Sequence, residues 1–169
     1  MKPLAAWSYD ATQLDELAYC AKHPYPLLVH VADGYKLHPV EQALQTMDRA
    51  ILSPARRAAG TPLAIDDYSA VAVRQTVGKF VELAVGCDRK ACDVLVNDIS
   101  ISRVHAHMVQ DARGNWYVND ASSTTGTFVN DKDPVATQVL MSGDRITLGM
   151  VDLTFYLPSQ AYELIRRLV

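Results

Sequence analysis

Between residues 86 and 127 the chain concentrates hydroxyl, guanidinium and ammonium groups in three polar stretches: "GCDRKACD" at 86–93, "NDISISR" at 97–103 and "DASSTTGT" at 120–127. Arg89, Lys90 and Arg103 carry charged donors, and Ser100, Ser102, Ser122, Ser123, Thr124 and Thr125 carry hydroxyls that both donate and accept. Such a set suits a phosphate or another anion with several acceptor oxygens, because charge-assisted hydrogen bonds are shorter and stronger than neutral ones. Backbone amides in turn conformations can supply the remaining donors. The same residues also suit a purely structural role. Ser102 can cap a turn, His105 can sit buried and satisfied, "SSTTGT" can be a polar turn held by its own hydroxyls, and Arg89 and Lys90 can be solvated surface charges.

Other chemistries find less support. Cys87 and Cys92 make half of a metal site, yet no second Cys or His pair follows at zinc-like spacing. His105-Ala106-His107 spaces two imidazoles on one strand face, with no carboxylate or thiol partner indicated, so core packing is expected and no metal or cofactor. Cys87, His105 and Asp120 could be cast as a nucleophile, base and orienting acid, but no oxyanion-hole elbow or pocket signature accompanies them. The chain is therefore not expected to be an enzyme, and Cys87 reads as a neutral filler.

The elements that position these stretches follow from periodicity. "ATQLDELAYCAKH" puts Leu14, Leu17 and Ala18 at helical spacing behind an Asp10 or Thr12 cap, and Pro24 and Pro26 stop it. "PLLVHVA" reads as a buried strand ended by Asp33-Gly34, and "PVEQALQTMDRAIL" as a second helix. "SPARRAAGTP" at 53–62 is rich in small residues, Pro and Gly, and beyond it the period turns strand-like; the boundary between a 1–60 extension and a 61–169 domain falls there. Short runs then follow with turn residues between them: "SAVAVRQ", "KFVELAVG", "DVLVN", "VHAHMVQ", "NWYVND", "GTFVN", "DRITLG" and "VDLTFYL". That rhythm predicts a sandwich or barrel of short strands, whose functional loops gather at one end. "PSQAYELIRRLV" closes the chain as an amphipathic helix with Ser159 as its cap and Leu164 and Leu168 on one face.

Length and composition set the outer limits. At 169 residues and 49% hydrophobic content the chain can bury a core of its own without a staple. A net charge of -3 lacks the basic excess that counterion release demands of a nucleic-acid binder. No apolar run approaches the roughly 18 residues of a membrane span, and the N-terminus lacks a signal-peptide core, so no membrane insertion and a cytoplasmic location are expected. Three cysteines without repeated spacing fit a reducing compartment.

The order of the pieces adds a sharper signal. "AVG" at 84–86, "DVLVND" at 93–98, "ISRVHA" at 101–106, "WYVNDASSTTGTFVN" at 116–130 and "LMSGDRITLG" at 140–149 together resemble the forkhead-associated (FHA) domain, a family of phosphothreonine-peptide-binding β-sandwiches. The resemblance implies a mainly β, FHA-like sandwich with a small α/β N-terminal extension and a C-terminal helix. It also implies roles. Ser102 and Arg103 match the family's Ser-Arg pair, one bonding phosphate and the other lying along the peptide-binding loop. Thr124 matches a phosphate-touching hydroxyl, with Ser123 and Thr125 beside it. Gly86, His105 and Gly126 match residues that support the loops.

Two positions depart from the family pattern. The family's Gly-Arg becomes Gly86-Cys87, and its Asn before Gly-Thr becomes Thr125. Loss of both groups costs several kcal/mol, on the order of hundreds-fold in affinity, unless another group compensates. Arg89, two residues along a loop one residue longer than usual, is the candidate replacement. Two readings follow: an interaction module that captures a phosphothreonine-containing protein partner in signalling or assembly, or a degenerate scaffold of the same family that binds its partner without phosphate. Residues 1–60 carry no motif that points to a family; they suit either packing on the sandwich edge or a partner-binding face.

Overall fold

The computed structural model describes residues 1–31, 66, 68–73, 81–132 and 136–169. Runs rich in Val, Ile, Thr, Tyr and Phe, cut by Gly, Asp and Asn, form strands in two sheets. The first sheet runs β1 (Lys2–Pro3), β3 (Tyr68–Ala72), β2 (Leu27–Val31), β11 (Val151–Tyr156), β10 (Arg145–Leu148) and β8 (Thr127–Val129), every neighbour antiparallel. The second runs β5 (Val94–Leu95), β4 (Val81–Gly86), β6 (Ala106–Gln110), β7 (Trp116–Asp120) and β9 (Thr137–Leu140), antiparallel apart from the β4–β5 pair.

Alternation along the strands decides which side chains meet. Val151, Leu153 and Phe155 are buried in β11 while Asp152 and Thr154 between them are not, the period of two expected of a pleated strand. Phe155 packs with Trp116 of the second sheet, ring centroids 6.3 Å apart and tilted at 57°, in a core to which Met108, Val118 and Ile146 also belong. Each such aliphatic or aromatic side chain contributes about 1.5–3 kcal/mol on burial.

Strand β2 is buried on both faces. Leu28 joins the core between the sheets, whereas Leu27 and Val29 join a second core formed with Leu4, Trp7, Ala11, Tyr19 and Ile165. That second core lies under a 3-10 turn at Leu4–Trp7 and three helices, α1 (Ser8–Gln13), α2 (Glu16–Lys22) and α3 (Pro158–Leu168). A continuous apolar run such as "PLLVHVA" is the mark of a strand covered on both sides. So the N-terminal segment supplies an interior strand between β3 and β11 and part of the layer that covers the first sheet, a deeper engagement than packing on an edge.

Several elements differ from expectation. The single helix expected over 11–23 is two, because Leu14 is extended and Asp15 starts α2 afresh, its carboxylate accepting from the Ala18 N–H at 2.8 Å. Leu17, expected on the buried face, is 84% exposed; the break turns Tyr19 inward instead. Ser159 does not cap α3. Leu157 holds that position without a side-chain bond, Pro158 opens the helix with its preset φ, and Ala161 and Ile165 are the fully buried residues, with Leu164 and Leu168 packed beside them. Strand β9 is not among the expected runs, since "TQVL" is short and half polar and forms an edge on which only Leu140 is buried. The helix expected at 39–52 and the boundary at 53–62 lie outside the described residues. Among the described residues no helix is long and apolar enough to cross a membrane.

Candidate functional site

Strand β4 ends at Gly86, and another segment passes close against it. A Cβ there would stand 2.2 Å from the Arg103 carbonyl oxygen and 2.9 Å from Cys92 Sγ, so only glycine fits. The segment that uses this space is 101–103. The Cys87 N–H donates to the Ser102 carbonyl and the Asp88 N–H to that of Arg103, both at 3.2 Å. The Cys87 thiol donates to the Ile101 carbonyl at 3.1 Å and the Cys92 thiol to that of Arg103 at 2.9 Å. Between the two cysteines the chain makes one tight turn, with the Cys92 N–H on the Asp88 carbonyl at 2.9 Å, and Arg89 and Lys90 stand exposed on it.

His105 ties this pair of loops to the third. Its ring is fully buried, accepts from the Ser102 N–H at Nδ1 (3.1 Å) and donates from Nε2 to the Gly126 carbonyl (3.1 Å). An amide only donates and a carbonyl only accepts, so the ring is neutral with its proton on Nε2. Burial lowers its pKa below the ordinary 6.5, against smaller opposing effects of the Gly126 carbonyl and the Asp120 charge. The main chain at residue 105 bonds both ways as well, to the Val85 carbonyl (2.8 Å) and from the Ala121 N–H (2.9 Å).

Asp120 organises the 120–127 loop. One carboxylate oxygen accepts from the Ser123 hydroxyl (2.6 Å) and the Thr127 hydroxyl (2.8 Å), the other from the Ser123 N–H (3.0 Å). Burial alone raises the Asp120 pKa, but these donors and the nearby His105 outweigh it and hold the carboxyl below its usual range. The Ser123 hydroxyl in turn accepts from the Gly126 N–H at 2.9 Å, and Gly126 sits at φ +83°, where a side chain would be strained. What the loop presents outward is Thr124. Its N–H donates to the Ser102 hydroxyl at 3.1 Å, and the two hydroxyls lie 3.4 Å apart.

The structure therefore brings Ser102, Thr124 and the loop of Arg89 together around the His105 bridge. Ser123 is present but its hydroxyl is committed to Asp120 and Gly126. Thr125 has a buried hydroxyl oxygen with no hydrogen-bond partner among the described residues. Among the described residues no ion pair engages Arg89, Lys90 or Arg103, so their charges are open to a ligand. His105 and His107 do not act as a pair, since the fully buried His105 ring spends both nitrogens on the loop backbone. Strand β6 starts only at Ala106, leaving His105 turned to the loops while His107 Nδ1 lies 3.1 Å from Glu82. Nor do Cys87, His105 and Asp120 form a relay: both His105 nitrogens serve the backbone, and the Cys87 thiol bonds Ile101.

A family model described as the FHA domain matches residues 83–149, the stretch that holds all three loops. This part of the chain is an FHA domain. Over 63 residues it is 36% identical to the glycogen accumulation regulator GarA of Mycolicibacterium smegmatis, covering 37% of this chain and 39% of that one. It is 38% identical over 63 residues to the oxoglutarate dehydrogenase inhibitor of Corynebacterium efficiens, covering 37% and 43%. The chain thus spans about two fifths of the curated relatives it matches. Among solved structures it is similar to the FHA domain of the CT664 protein from Chlamydia trachomatis, with 16% identity and a TM-score of 0.48 over 78% of this chain and 96% of that one.

Asp120 and Cys92, which the sequence suggests only for other chemistries, brace these loops. Asp120 was legible, since Asp followed by Ser three residues later is the pattern of a side-chain-closed turn. Cys92 was not, because nothing in a sequence tells which carbonyl a thiol will meet.

His105 makes the loops sensitive to acid. Between its lowered folded pKa and 6.5, the unfolded chain takes up a proton that the folded one refuses, so stability falls as pH drops below about 6.5. A proton on Nδ1 also removes the acceptor of the Ser102 N–H. Thermal unfolding midpoints are expected to decline from pH 7 to pH 5, and His105→Gln, which can both accept and donate at these places, to flatten that part of the profile. Asp120 acts in the same direction but only nearer its own, lower range.

Proposed function

We propose that the chain is a protein-interaction module whose FHA domain captures a phosphothreonine-containing segment of a partner, with Ser102 and Thr124 meeting the phosphate, Arg103 alongside the peptide, and Arg89 in the place of the arginine that Cys87 lacks. The observation that carries this reading is the meeting of Ser102 and Thr124, 3.1 Å apart from hydroxyl to amide, on loops locked by one buried neutral histidine. Donors so fixed need no reordering when an anion arrives. Arg89, Lys90 and Arg103 supply positive charge that no ion pair engages among the described residues, and the Thr125 hydroxyl, unpartnered among those residues, gains a partner if the peptide backbone meets it. Ser123 acts here as a brace. GarA and the oxoglutarate dehydrogenase inhibitor are by name a regulator and an inhibitor, which supports regulation by binding without catalysis. Three free thiols fit a reducing compartment such as the cytoplasm.

The test is a phosphothreonine peptide library against its unphosphorylated twin, titrated at rising salt. Selective binding that weakens with salt is the expected result, and Ser102→Ala is expected to lower it about tenfold by removing one phosphate donor and the acceptor of the Thr124 N–H. Equal binding of both peptides would leave the second reading, a scaffold that engages its partner independently of phosphate. The observation favouring that alternative is Cys87 itself, whose thiol is turned to the Ile101 carbonyl.

A further inference from the structure

The phosphate reading leaves two side chains of its own loop without a part. Cys87 and Cys92 flank Arg89 and Lys90, and both are half-buried free thiols. Each spends its hydrogen on the segment that carries Ser102 and Arg103: Cys87 on the Ile101 carbonyl at 3.1 Å, Cys92 on the Arg103 carbonyl at 2.9 Å. One contact of this kind is weak, but the two act on carbonyls at either end of Ser102. A sulfur that carries a substituent has no hydrogen to donate, and the space beside Gly86 and the Arg103 carbonyl is already closed.

We propose that Cys87 and Cys92 form a thiol latch on the 101–103 segment, and that S-thiolation by a low-molecular-weight disulfide such as glutathione disulfide opens the latch and turns off peptide capture. The capture half rests on the phosphothreonine reading of the same loops; the latch half does not. The Cys87 sulfur, as thiolate, attacks one sulfur of glutathione disulfide. A protein–glutathione S–S bond forms as the glutathione S–S bond breaks, and the departing glutathione thiolate takes up the proton that Cys87 released. One protein thiol is oxidised and one glutathione half is reduced, with no other reactant.

Location favours Cys87 as the attacking sulfur. Arg89 and Lys90 lie two and three residues away, exposed and without ion pairs among the described residues, so they attract an anionic disulfide. Asp88 beside them spends one carboxylate oxygen on the Lys90 N–H at 2.9 Å. Burial raises the Cys92 pKa and keeps that thiol protonated, which suits a latch that follows the first sulfur. Cys20 sits on α2 beside the second core and serves as the internal control.

The experiment uses the full chain as wild type, Cys20→Ser and Cys87→Ala, each incubated with glutathione disulfide. Intact and peptide mass spectra locate the adduct, amide hydrogen exchange follows residues 101–104 and 124–127, and a phosphothreonine peptide reports binding. Wild type and Cys20→Ser are expected to gain one glutathione at Cys87, to exchange faster in both segments and to lose about tenfold or more in affinity, all reversed by dithiothreitol. Cys87→Ala is expected to show the faster exchange from the start and no further response. Adducts at Cys87 with unchanged exchange, adducts confined to Cys20, or no adduct at Cys87 or Cys92 would overturn the latch. If the unmodified chain does not distinguish the phosphorylated peptide, the binding reading fails, and the exchange data still decide the latch.

Discussion

A chain that starts at residue 32 is expected to be unfolded, although it keeps every residue that the FHA family model matches. Strand β2 lies between β3 and β11, with five residue pairs to one and three to the other, so its loss strips backbone partners from both neighbours. Leu27, Leu28 and Val29 are each at most 2% exposed, and together they contribute about 5–8 kcal/mol of burial. Leu4, Trp7, Ala11 and Tyr19 go with them, which uncovers Ile165 and Ala161 of α3. A domain of this size holds only about 5–15 kcal/mol in total, so the deficit exceeds what remains. Circular dichroism and amide spectra of residues 32–169 should show no cooperative transition, while Leu17→Ala, at an exposed position of the same segment, should leave the full chain's midpoint nearly unchanged. A folded 32–169 fragment would show that residues 1–31 are a separable addition to the sandwich. Structural coverage of the first sheet points the other way.

The contrast shows what the sequence could and could not carry. Strands β4 to β8, β10 and β11 were legible because a period of two and turn residues at their ends are local properties. The run at 26–32 was legible as a buried strand, but its neighbours were not, since a period says nothing of which strand pairs with which. The site divides in the same way. Ser102, Arg103, Thr124 and Gly86 follow from order and type along the chain, and the structure brings Ser102 and Thr124 into contact across 22 residues. That Ser123 turns inward to Asp120, or that two thiols hold the 101–103 carbonyls, depends on side-chain direction across loops. The same limit hid the break after Leu14. Neither Asp10 nor Thr12, the expected caps, starts a helix; Asp15 does, and the helix it opens carries Tyr19 against Tyr162 and His23.

Arg89→Ala is expected to reduce affinity for a phosphothreonine peptide by roughly 10- to 150-fold while leaving the unphosphorylated peptide unchanged, the loss of one charged hydrogen-bonding group worth about 1.5–3 kcal/mol. The salt dependence of binding should shrink with it, since an exposed guanidinium acts over distances that salt screens. The decisive variant is Cys87→Arg, which restores a guanidinium at the position the family uses. Cys87 is only partly buried, packed against the core between the sheets, so a long side chain directed outward can leave the loop and place its N–H groups near the Ile101 carbonyl that the thiol now serves. If Arg89 already fills the role, Cys87→Arg alone gains little, and in its presence Arg89→Ala becomes nearly silent: two groups that serve one phosphate contact are not additive. If Arg89 is only a solvated charge, Arg89→Ala changes nothing in either background and Cys87→Arg alone gains on the order of a hundredfold, which would mean that the native chain works without phosphate. Isothermal titration of the four proteins closes this cycle. The sign of the coupling, rather than any single affinity, tells whether the displaced cation replaces the missing one.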